Sequence, residues 1–117
     1  MFINISNRPH YEWNTYQYET ARAFGEIRDI PFPEVPATVT KDEVKRMAEE
    51  VFIESGGLRM LNKEVDVILC QGESSLMWHI VNIFKNTGFT CVVPCFKEEK
   101  NQEDGTTKLN FVQFREI

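Results

Sequence analysis

Histidine and cysteine are scarce in this chain, at two and three residues, and the scarcity removes much metal and nucleophile chemistry at once. Cys70, Cys91 and Cys95 have neither C-x-x-C spacing nor a neighbouring histidine, so no zinc site, disulfide framework or cofactor is expected. Any Ser-His-Asp triad would have to use His10 or His79. Basic residues are in deficit too: 13 Lys and Arg against 18 Asp and Glu give a formal net charge of -5, the wrong sign for coating a long nucleic acid. No apolar run approaches the roughly 20 residues of a membrane span. The opening Met1-Phe2-Ile3-Asn4-Ile5-Ser6 lacks the basic segment and cleavage site of a signal peptide. A cytoplasmic protein with no membrane partner is the expectation.

What remains is the composition of one folded domain covering residues 1–117, with 42% hydrophobic and 26% charged residues. Met1 to Ser6 reads as a first strand ending in the polar loop Asn7-Arg8-Pro9-His10. Asn14 with Gln17 has capping-box character, and a first helix runs from there to Gly25. Glu26 to Ile30 is a short second strand, closed by Pro31-Phe32-Pro33. Thr40 with Glu43 is a capping box for a second helix, in which Val44, Met47, Ala48, Val51 and Phe52 share one face before Gly56-Gly57 stops it. Leu58 to Leu61 is a short extra turn or packed loop.

Glu64 to Cys70 is apolar almost throughout, as a central parallel strand buried on both faces should be. Gln71 to Ser75 then turns into a third helix over Leu76 to Phe84, ended by Gly88. Thr90 to Phe96 is a fourth strand. Lys97 to Asp104 is a solvated connection, Asp104-Gly105 marks a hairpin turn, and Thr106 to Glu116 alternates as a fifth strand. Trp13, Tyr16, Trp78, Phe84 and Phe111 sit at core-like spacing.

This alternation predicts an α/β, three-layer, Rossmann-like or flavodoxin-like domain with a mainly parallel five-stranded sheet, order 2-1-3-4-5 and the last strand antiparallel. Ligands of such sheets bind outside the carboxyl ends of the first and third strands. Ser6, Asn7 and Arg8 follow the first of these, and Gly72, Glu73, Ser74 and Ser75 follow the third. Backbone N–H groups at a helix start, with Ser hydroxyls and the Arg8 fork, could hold a small anion. The competing reading is that Ser74 simply caps the helix and Gly72 simply makes the turn. His10 has no identifiable partner in the sequence, His79 reads as structural, and Cys95 ends the fourth strand near the crevice. Leu109 and Phe111 alternate against Val112 and Phe114, so apolar residues fall on both faces of the fifth strand. A covering helix or a partner subunit would account for that, which makes a homodimer the expected assembly.

Met1 to Asn7, Glu26 to Pro33, Gly72-Glu73 and Phe111 to Ile117 together resemble a family of small CRISPR-associated proteins with a Rossmann-like fold, related to CARF and ring-nuclease proteins. The resemblance implies recognition of a cyclic oligoadenylate messenger across a dimer, with Ser6, Asn7, Gly72 and Glu73 at the ligand. It also raises a metal-independent, ring-nuclease-like phosphodiesterase. Val93-Pro94-Cys95-Phe96-Lys97-Glu98 departs from the family pattern, lacking the hydroxyls and the Arg that would grip phosphate, which bears on cleavage more than on binding. The alternative is a homodimeric interaction module with no bound nucleotide. A flavodoxin-like electron carrier fits less well, since neither loop is a Ser/Thr/Gly-rich phosphate cradle.

Overall fold

The computed structural model describes residues 1–117. Strands β1 (Phe2–Ser6), β2 (Ile27–Pro31), β3 (Val67–Cys70), β4 (Thr90–Lys100) and β5 (Thr107–Glu116) are joined by helices α1 (Thr15–Arg22), α2 (Lys41–Glu54) and α3 (Ser74–Thr87), with a 3-10 turn at His10–Glu12. The sheet order is β2-β1-β3-β4-β5, parallel except for the β4–β5 pair. The expected architecture is therefore present. It follows from local signals: Asn14 accepts from the Gln17 N–H and Thr40 from the Glu43 N–H at the two predicted caps, and Gly88 ends α3 with a φ of 100°.

Period-2 alternation of β1 and β3 splits the core into two layers. Ile3, Ile5, Ile68, Cys70 and Cys91 face α2 and α3, meeting Val44, Ala48, Phe52, Leu76, Ile80 and Phe84. Phe2, Val67, Leu69 and Val92 face the other way, toward Ala21 of α1. Two helices cover one face and a single short helix covers part of the other. No helix is long and apolar enough to cross a membrane.

Several boundaries differ from the sequence reading. β3 starts at Val67 rather than Glu64, because Asn62 to Asp66 form a tight turn in which Asp66 Oδ2 accepts from the Asn62 N–H at 2.7 Å and also meets the amino group of Met1 through Oδ1. β4 runs on to Lys100, its charged end paired with Thr107 to Asn110, so Lys97–Lys100 is strand. The turn is correspondingly longer than a two-residue hairpin, closing from Asn101 to Thr106 with Gly105 at φ 74°. Tyr16 and Trp78 are not core residues, being 58% and 63% exposed; Trp78 lies on the outer face of α3 and Tyr16 meets only the edge of Phe111.

Strict alternation also fails in β5. Phe96 pairs with Phe111 but Cys95 pairs with Gln113, so Val112 is an extra residue in the ladder. The bulge returns Phe114 to the α1 side, where it meets Phe2 and Trp13. The two phenylalanines thus share a face, which removes the main reason for expecting a cover on both sides of the strand.

Candidate site at the switch point

β1 is a central strand with helices on both sides, where apolar residues are the norm, yet Asn4 and Ser6 are buried on its α1-facing side. Their polar groups are used locally. Asn4 Nδ2 donates to Asp29 Oδ1 and to the Arg8 carbonyl, both at 2.9 Å, and Asn4 Oδ1 accepts from the Ser6 hydroxyl at 2.7 Å. The Arg8 N–H closes the turn on Ser6 Oγ at 3.2 Å. The Ser6–Arg8 loop is therefore folded onto a satisfied polar cluster rather than left free.

Asp29, in the middle of β2, joins this cluster to His10. Asp29 Oδ1 accepts from the His10 backbone N–H at 3.0 Å, and Oδ2 lies 2.6 Å from His10 Nδ1. The imidazole stacks on Tyr18 of α1 with ring centroids 5.9 Å apart. The expectation that His10 lacks a partner is thus corrected: sequence spacing hides a contact between residues nineteen apart, made only because β2 pairs with β1.

Beside the loop is a cleft of about 360 Å³ lined by Ser6, Arg8, Trp13, Gln17, Leu69, Gln71, Pro94, Phe96 and Leu109. Gln17 is only 4% exposed; its backbone N–H goes to Asn14, and the little surface it keeps is at its side-chain amide, which meets solvent and not a group of the chain. The amide opens onto the cleft. The Arg8 guanidinium has no acidic partner, since the ion pairs are those of Met1 with Asp66 and His10 with Asp29. A hollow of mixed polarity, with an amide that meets only solvent and one unpaired cation on its walls, has the groups a small ligand would need. No three His, Cys, Asp or Glu side chains come together.

The predicted site residues divide accordingly. Ser6 and Arg8 line the cleft, while Asn7 lies in an adjoining depression with Pro9, Tyr11 and Asp29. Gly72 is packed under the Phe32 ring, so closely that a Cβ would come within 2.4 Å of it. Glu73, not Ser74, caps α3: its carboxylate accepts from the Ser75 and Leu76 N–H groups at 3.0 and 2.9 Å and also from the Ser75 hydroxyl. The Ser75 hydroxyl chiefly, then the Leu76 and Ser75 N–H groups, hold the Glu73 carboxyl below its usual range. The helix N-terminus thus already has an anion of its own. Ser74 lines a separate groove along α3 with Met77, Trp78 and Ile117. Cys95 lies inside β4 beside the bulge and not among the cleft residues.

Gln71 belongs to the loop expected at the crevice, whereas Gln17, Trp13, Pro94, Phe96 and Leu109 were not expected to line it. One signal was there: Trp13, Gln17 and Ala21 recur every four residues on the face α1 buries, and a glutamine in such a stripe is the exception.

The family model of the uncharacterized protein MJ1673 family matches residues 1–115, and the chain belongs to that family. No curated protein and no solved structure matches it.

Proposed function

We propose that this member of the MJ1673 family is a nucleotide-recognising domain whose ligand occupies the switch-point cleft. The observation that carries the reading is the pairing of the Gln17 amide, which meets only solvent, with the unpaired Arg8 guanidinium in one hollow walled partly by Trp13, Pro94 and Phe96. A nucleobase offers planar faces to Trp13, Pro94 and Phe96 and a donor-acceptor edge to an amide. A phosphate offers its oxygens to a guanidinium fork. The volume is near the lower end of ligand cavities, roughly 300–1,000 Å³, which suits one nucleotide unit; a cyclic oligoadenylate, the ligand class suggested by the CRISPR-associated resemblance, would place one unit in each cleft. A net charge of -5 is compatible with this, because a single small anion needs one focused cation and not a basic face.

The test is calorimetry and thermal shift with adenosine, AMP and cyclic tri-, tetra- and hexa-adenylate. Arg8→Ala should weaken the phosphorylated ligands and leave adenosine unaffected, whereas Gln17→Leu should weaken all of them. Absence of heat and of thermal shift with every compound removes the reading.

A homodimeric interaction module is the second reading, favoured by the apolar groove on α3, where Trp78 is 63% and Ile117 41% exposed. Trp78→Glu should then shift the elution volume of the wild-type assembly in size exclusion, and a wild-type monomer at micromolar concentration sinks this reading.

A further inference from the structure

We propose that Asn4 is a positioning residue for Arg8 and thereby sets the preference of the cleft for phosphorylated over unphosphorylated ligands, an inference that rests on the cleft being a nucleotide site. The first ground is where the bonds of the buried cluster end. Asn4 Nδ2 donates to the Arg8 carbonyl and to Asp29 Oδ1, both at 2.9 Å, while Asn4 Oδ1 accepts from the Ser6 hydroxyl at 2.7 Å. Ser6 Oγ in turn accepts from the Arg8 N–H at 3.2 Å, and Asp29 Oδ1 from the His10 N–H at 3.0 Å. Both backbone groups of Arg8 are therefore held. So is the next N–H of the chain, since Pro9 between them has none and its ring fixes its own φ, here -62°. Every bond of Arg8 ends on its main chain; the guanidinium is exposed and meets no acidic partner.

The second ground is that stability gives no reason for this arrangement. Asn4 is 1% exposed in a central strand, where apolar residues are the norm. Replacing both partners of a buried hydrogen bond by apolar groups of the same shape is close to neutral, so hydrocarbon side chains at positions 4 and 6 would serve the core as well. They would not hold the loop. Holding it calls for an amide, because the side chain has to donate twice and accept once; an aspartate would lose both donors and set a second carboxylate against Asp29.

The third ground is the consequence for binding. A cation on a free loop loses the freedom of the loop when it meets a phosphate, whereas a cation on a pinned loop loses only that of its own side chain. Arg8 lines the cleft and Asn4 is sealed off from it. Asn4 therefore acts on a ligand only through Arg8, and only on a ligand that carries a phosphate.

The experiment is calorimetry of AMP, cyclic tetra-adenylate and adenosine with wild type, Asn4→Leu, Arg8→Ala and the double variant, with melting curves confirming that each folds. Asn4→Leu should weaken the phosphorylated probes about 10-fold, the lower end for one hydrogen bond to a charged group, and leave adenosine within about 2-fold. In the Arg8→Ala background the same substitution should change nothing further. Amide hydrogen exchange at Arg8 and His10 should quicken in Asn4→Leu. If that variant does not fold, Asp29→Ala, at a half-buried position that also anchors Asn4 and His10, carries the same test. An equal loss for all three probes, a loss of the same size without Arg8, or an unchanged affinity each overturns the positioning role and leaves the binding site standing. Absence of binding of every probe to wild type overturns the site itself, and the role of Asn4 with it.

Discussion

Phe111 and Phe114 are three residues apart in one strand, yet their rings lie 4.7 Å apart on one face of the sheet. Side chains three apart in a regular strand point to opposite faces. The extra residue Val112 makes the difference, since it shifts the register between Phe111, opposite Phe96, and Phe114, opposite Pro94. Both partners line the cleft, so the bulge that gathers the phenylalanines also sets its far wall. Deleting Val112 should send Phe114 to the other face and destabilise the fold by about 2–4 kcal/mol, comparable to emptying a core aromatic site. Urea unfolding measures it, and an unchanged midpoint would contradict the role of the bulge.

Gln17 is expected to matter for binding and little for stability. Gln17→Leu replaces an amide that meets only solvent by a hydrocarbon of similar size and should change the stability of the ligand-free protein by less than about 1 kcal/mol. The same variant should lose the thermal shift with cyclic tetra-adenylate. A larger loss of stability without ligand would mean that the amide is bonded after all.

Gly72 should resist even a methyl group. Gly72→Ala drives a Cβ to within 2.4 Å of the Phe32 ring and should cost about 1–3 kcal/mol through overpacking. In a Phe32→Leu background the cost of the alanine should shrink, and a double-mutant cycle with no coupling would refute the contact.

Glu73 makes the start of α3 sensitive to acid. Its hydrogen bonds favour the ionised form, so the folded value lies below the ordinary 4.5. The unfolded chain binds the proton more readily; the stabilisation is full above about pH 4.5 and is lost as pH falls through the depressed folded value. Glu73→Ala should therefore melt below wild type at neutral pH, with the gap closing in strong acid. A gap independent of pH would exclude the carboxylate as the cause.

Thiol reactivity should separate the three cysteines. Burial, helped by neighbouring Cys91, pushes Cys70 up to about 12, and burial pushes Cys91 up to about 11. Cys95 is half-buried. Iodoacetamide on the native protein should label Cys95 alone, and all three should react in denaturant, as mass spectrometry of peptides would reveal.

The elements were legible because their signals are local. Capping residues at Asn14 and Thr40, the apolar run ending at Cys70, and Gly88 each act within a few residues, and alternation of strand and helix limits the topology to a few orders. Ser6 and Arg8 line the crevice where expected because strand ends at a switch point follow from that order. The Gly72 to Ser75 turn looked equivalent by the same logic. It differs because Phe32, forty residues earlier in the chain, lands on the glycine, and no spacing rule foresees that.

The chain's order of local preferences determined by itself that a β2-β1-β3-β4-β5 sheet forms and that its crevice opens after β1 and β3. Only the tertiary structure decided which side chains face that crevice. Pairing of β1 with β2 brings Asp29 to His10, a single inserted residue turns β5 so that Leu109 joins Phe96 at the cleft, and α1 leaves Gln17 without a partner over the exposed end of the sheet. Each depends on contacts between distant segments, whose energies are set by packing and hydrogen-bond geometry after the backbone is in place.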